Sequence, residues 1–203
     1  TGTSRSGSIT MPEEDGAEIV CTFRNTLQQQ RLACDSGLFY GVTTNGALIQ
    51  GDIVGGGQAT VGSWSNVTGA NSLGIGAGGT LAYALNRSGD AANVLSILKW
   101  STTGGFETLP GTGYTTVGAG GAAVPGSLVA GAVDLTTGRY LFGKFNGGVF
   151  HLWSFTESAP AANRFAYVGS FNAGAAPNGN GDMAFDSRGN LYVLGAATVN
   201  NAS

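Results

Sequence analysis

The chain has 203 residues, of which 36 are glycine, 42% are hydrophobic and only 10% are charged, and its formal net charge is -3. Nine Lys and Arg in all form no basic stripe of the kind nucleic acid requires. No apolar run reaches the length of a transmembrane helix, because each is broken by Gly, Ser or Thr. Recurring runs of Leu, Val, Ile, Phe and Tyr set the chain apart from a disordered Gly-rich polymer and predict an all-β globular domain.

Residues 1–14 are polar and rich in Gly and Ser, with a short strand expected at Ser8-Ile9-Thr10-Met11 before Pro12. Residues 17–26 alternate as a half-buried strand does. Their core, Ile19-Val20-Cys21-Thr22-Phe23-Arg24-Asn25-Thr26, resembles the closing strand of small β-sandwich modules. These are the prealbumin-like (Cna B-type) repeats of bacterial wall-anchored adhesins and pilins. The resemblance covers one strand. It implies that residues 1–27 are terminal strands of an upstream sandwich, or a linker, and that the chain is a processed piece of an extracellular, wall-associated protein.

Residues 28–203 read as one repeat domain. Its first unit has apolar runs at 31–34, 38–40, 47–53 and 59–64, with turns at Asp35-Ser36-Gly37 and Asn45-Gly46. The second has runs at 73–75, 80–83, 94–100 and 106–109, the first two joined through Gly76-Ala77-Gly78-Gly79. A third repeats the pattern at 128–133, 139–142, 149–155 and 165–171 around Asp134-Leu135-Thr136-Thr137-Gly138. A fourth offers only two runs, 183–185 and 191–193, around Asp186-Ser187-Arg188-Gly189-Asn190. In that turn Gly189 supplies the positive φ and Asp186 bonds its own backbone two residues on. The turn glycines 37, 79, 138 and 189 recur roughly every 40–60 residues, a period that points to repeat architectures.

Four short strands per unit predict antiparallel sheets stacked as in a β-propeller, incomplete at about three and a half blades. Leu81, Tyr83, Leu141, Leu191 and Val193 are expected between the sheets, and the far edge of the last unit is expected to associate. Two further resemblances agree. Residues 34–48 are similar to the opening of propeller-like domains in the same large surface proteins. Residues 182–193 resemble a repeat of wider propeller families with regulatory, sugar-lactone and wall-associated members, which speaks to fold more than to function.

Candidate chemistry is sparse. An even pair of cysteines, Cys21 and Cys34, in a chain that reads as extracellular suggests a disulfide; the alternative is two buried thiols. Asn178, Asn180 and Asp182 alternate as calcium ligands do, without the distant Glu of an EF-hand. Trp64, Trp100 and Trp153 either stack on sugar rings or pack between sheets. Asp134 and Asp186 occupy equivalent turn positions, and His151, the one histidine, sits mid-strand. No cofactor is expected.

The reading is a non-catalytic extracellular surface module, structural or adhesive, with a protein or carbohydrate partner. The alternatives are a filament subunit assembled by β-strand addition through residues 19–23, and a propeller-type hydrolase or lactonase.

Overall fold

The structure, a computed structural model, describes residues 30–87, 96–109, 118–121, 124, 127–174 and 180–195. The expected strands at 8–11 and 17–26 lie outside those residues, as does the boundary at 27. The described residues form four antiparallel sheets, an open propeller-like arrangement. The first holds β1 (Leu38–Val42), β2 (Ala47–Asp52) and β3 (Gln58–Ser63). The second holds β4 (Ala70–Ile75), β5 (Leu81–Asn86), β6 (Ser96–Ser101) and β7 (Gly105–Leu109). The third holds β8 (Ala130–Val133), β9 (Tyr140–Asn146), β10 (Val149–Phe155) and β11 (Phe165–Asn172). The last is the hairpin β12 (Gly181–Phe185) and β13 (Leu191–Gly195). In every sheet the strands neighbour one another in chain order.

Turn chemistry sets these hairpins. Asp134 Oδ1 accepts the Thr136 backbone N–H at 2.9 Å, and Gly138, at φ 70°, closes back on the Asp134 carbonyl. The last hairpin repeats the device. Asp186 Oδ1 accepts the Arg188 and Asn190 amides at 2.9 Å, with Gly189 at φ 84°.

One expected strand is absent. Residues 31–34 do not pair with β1; the Leu32 amide donates instead to the Gly79 carbonyl at 2.8 Å, on the second sheet. The reason is local. Any Cβ at position 79 would collide with the Leu32 carbonyl, so only glycine admits this crossing, which buries the Leu32 side chain. The first sheet therefore has three strands.

Alternation along the strands sends side chains to two neighbours. Leu48, Trp64, Leu98 and Trp100 fill the layer between the first and second sheets. Leu85, Ile97, Phe142 and Trp153 fill the next, and Leu141, Phe150, Leu152 and Met183 the last. On β10 the switch is visible within one strand: Phe150 and Leu152 face the fourth sheet, Trp153 and Phe155 the second. Tyr83 and Leu141 are buried as expected, whereas Leu81, Leu191 and Val193 are half-buried. Leu191 and Val193 belong to an edge strand, so no further strand among the described residues covers their flank.

The first strands of the second, third and fourth sheets, β4, β8 and β12, lie side by side at the centre. Their backbones touch through glycines. A Cβ on Gly131 would collide with the Ser72 carbonyl and stand 2.8 Å from the Tyr140 hydroxyl. A Cβ on Gly74 would stand 2.8 Å from the Ala132 carbonyl carbon. Ser72 sits at φ 62°, at a register irregularity in β4, and its carbonyl accepts the Tyr140 hydroxyl.

Candidate functional site

Two polar concavities follow from this stacking. The first is a central groove of about 460 Å³ lined by residues of β1, β4, β8 and β12, among them Tyr40, Asn71, Ser72, Gly131 and Asp182. Asp182 accepts the Met183 amide at 2.8 Å and the Gly131 amide from β8 across the groove. Burial nonetheless pushes its carboxyl above the usual value, outweighing both hydrogen bonds. Ser72 Oγ is buried with no partner among the described residues.

The second concavity, about 400 Å³, lies between the second and third sheets. Glu157, just past β10, is held from two sides: Tyr83 Oη donates to it at 2.7 Å and Lys99 Nζ at 2.7 Å. Lys99 also reaches Glu107 at 3.5 Å. Burial alone would raise the Glu157 carboxyl; the hydrogen bonds from Lys99 and Tyr83 outweigh it and hold the group below its usual value. Burial, reinforced by Glu157, pushes the Tyr83 phenol up. Arg139 forms part of the wall, and its Nε is buried without a hydrogen-bond partner among the described residues.

A pH dependence follows from this pair of sheets clamped by one carboxylate. A Glu held down in the folded state adds stability above its unfolded value of 4.5, and that contribution is lost as pH falls through the lower folded value. Glu157→Gln is therefore expected to be less stable than the parent at pH 7, with the gap closing below pH 4.5. Urea midpoints of both proteins from pH 7 down to pH 3 check it. A gap independent of pH contradicts the assignment.

The residues singled out from sequence fall elsewhere. Trp64, Trp100 and Trp153 are all buried between sheets, which takes their faces away from any ligand and favours packing, the second of the two readings, over stacking. Their equivalence is structural: each of Trp100 and Trp153 faces the sheet before its own. Asn180 Oδ1 accepts the Gly181 amide at 3.1 Å, and Asp182 accepts the amides of Met183 and Gly131, so both side chains are engaged by backbone. Asn178 lies outside the described residues, and among the described residues no group of three His, Cys, Asp or Glu is placed to hold a metal. Cys34 is exposed and has no disulfide partner among the described residues; Cys21, its expected partner, lies outside them.

Asp134 is a turn residue, held down to about 2 by the hydroxyls and amides of Thr136 and Thr137. Asp186 is likewise spent on its own hairpin and does not join Asp182 in the groove. His151 Nδ1 lies 3.0 Å from the Tyr167 hydroxyl, its ring held below its usual value first by burial and then by Lys144.

Sequence reasoning missed Lys144, Arg139 and the Glu157 cluster. Lys144 is buried on β9, with Nζ 5.6 Å from the Trp153 ring centre. Its signal was available: it stands in phase with Tyr140 and Phe142, two residues of the inter-sheet core. Glu157 carries no such signal, since Tyr83 and Lys99 reach it from another sheet. No helix among the described residues is long and apolar enough to cross a membrane. No protein-family model matches the chain, and no curated protein matches it significantly.

Proposed function

We propose that this chain is a non-catalytic structural module of the cell exterior that joins head to tail with copies of itself. The observation that carries this reading is the pair of apolar faces on the two terminal sheets. On the fourth sheet, Met183, Phe185, Leu191 and Val193 face inward, and Tyr192 and Leu194 face outward, 61% and 73% exposed. On the first sheet, Tyr40 and Val42 face inward and Phe39 faces outward, 49% exposed. Phe39 lies over Gly51, its partner on β2, where any side chain would collide with the ring.

Each internal sheet offers one face to the sheet before it and the other to the sheet after. The outer face of the fourth sheet stands toward the first sheet of a second copy as the third stands toward the fourth. Such a contact is heterologous: two different surfaces meet, and repetition gives a filament or a ring. β13 carries no charged residue, so nothing on that strand opposes the approach. Face stacking explains the exposed Tyr192 and Leu194 better than strand addition, which would use only backbone edges.

The non-catalytic part rests on how the acids are used, with Asp52, Asp134 and Asp186 closing turns and Glu157 tying two sheets. The extracellular part rests on the low charge and the Gly, Ser, Thr and Asn content.

Sedimentation over a range of concentrations is expected to show mass rising above that of one chain. Leu194→Lys and Phe39→Lys are each expected to remain monomeric, since each spoils one of the two faces. Mixed in equal amounts they are expected to form dimers and stop there, one good face from each. A chain monomeric at every concentration, or a mixture with no dimer, overturns the reading.

A further inference from the structure

We propose that the cleft between the second and third sheets binds a sugar acid, with Arg139 taking its carboxylate and Glu157 accepting a ring hydroxyl. The cleft is walled by Tyr83, Thr137, Arg139, Thr156, Glu157 and Ser158. At about 400 Å³ it is within the range of small-ligand sites.

Three features select the ligand. Arg139 presents a guanidinium whose Nε is buried and lacks a partner among the described residues, although buried polar groups are ordinarily satisfied. A planar carboxylate in the cleft reaches the terminal nitrogens of that guanidinium, which match it with two parallel hydrogen bonds. Glu157 stands in the same wall, so a compact dianion such as phosphate would meet its charge directly. The ligand must instead place its anion at Arg139 and a hydrogen-bond donor at Glu157.

That donor is neutral. Lys99 at 2.7 Å already compensates the Glu157 charge, and Tyr83 holds the other oxygen, so hydroxyls suit the remaining lone pairs better than a second ammonium. Thr156 and Ser158 add two hydroxyls to the same wall. The Tyr83 ring is buried, so recognition is by hydrogen bonds rather than by stacking. A carboxylate on a polyhydroxylated ring meets these conditions together. The site does not rest on the assembly proposed above, because Phe39, Tyr192 and Leu194 are not among its walls.

Titration of the full chain with digalacturonate, followed by calorimetry, tests it. Saturable binding is expected, at least tenfold tighter than for neutral digalactose, with none for acetate or glycine at the same concentrations. Arg139→Gln is expected to weaken digalacturonate at least tenfold and Arg139→Lys to restore part of the loss. Should Arg139→Gln fail to fold, as thermal melts would show, Ser158→Ala carries the test with a several-fold loss expected. Absence of digalacturonate binding overturns the proposal. So does equal binding of digalactose, of acetate as a bare anion or of glycine as a zwitterion, and so does full affinity in a folded Arg139→Gln or Ser158→Ala variant.

Discussion

Gly131→Ala is expected to cost about 3 kcal/mol or more, the upper end of what overpacking a well-filled interior does. The added methyl would collide with the Ser72 carbonyl on the neighbouring central strand and stand 2.8 Å from the Tyr140 hydroxyl. Neither neighbour gives way easily. The carbonyl is backbone, and Ser72 is already held at φ 62°. The Tyr140 ring packs against Tyr83 at 5.4 Å and Phe142 at 5.6 Å. Relief therefore requires β4 and β8 to separate, loosening the central groove and the core beside it. Urea denaturation of the variant measures the loss. Gly57→Ala is the control: nothing lies within 4 Å of its added methyl, and it is expected to stay within about 0.5 kcal/mol of the parent. Equal stabilities for the two variants would contradict the close approach of the central strands.

Trp100→Ala is expected to cost about 3–5 kcal/mol, the range for deleting a large buried aromatic side chain. Trp100 is fully buried between the first and second sheets, and Phe106, 6.5 Å away, joins it to Trp64 at 4.9 Å. Trp64 is itself fixed, its Nε1 donating to the Lys99 carbonyl at 2.8 Å. Removing the indole leaves a cavity that this group is too well anchored to fill. Since domains are stable by only about 5–15 kcal/mol, the variant is expected to lie near its unfolding threshold at 25 °C. Near-ultraviolet circular dichroism and a urea melt check it. A variant that keeps the parent midpoint and loses only carbohydrate binding would return Trp100 to a ligand-stacking role.

These two results bear on how much of the molecule its sequence discloses. The strands from β1 onward were legible because their information is local: a strand alternates, an Asp bonds its own turn, a glycine takes positive φ. Asp134 with Gly138 and Asp186 with Gly189 are complete within five residues each. Residues 31–34 were misread for the opposite reason. They alternate like a strand, and what diverts them is the missing side chain of Gly79 on another sheet. The same limit applies to the clefts. Nothing near Glu157 in the sequence announces Tyr83 or Lys99, and nothing near Asp182 announces Gly131. The indoles were ambiguous because a ring that packs and a ring that binds look alike until the neighbouring sheet is in place.

The serial stacking of the sheets has a bearing on how such a chain varies in length. Each core layer is shared by two sheets that are consecutive in the chain, and the strands of a sheet are joined in order. Energetically this is a row of nearest-neighbour couplings, in which a unit answers only to the one before and the one after. Duplication of one unit would then create a single new junction of a kind already present, without redrawing any existing layer. Loss of a terminal unit would merely uncover another apolar face. Insertion within a sheet is the change such a row tolerates least, because it would disturb two layers at once.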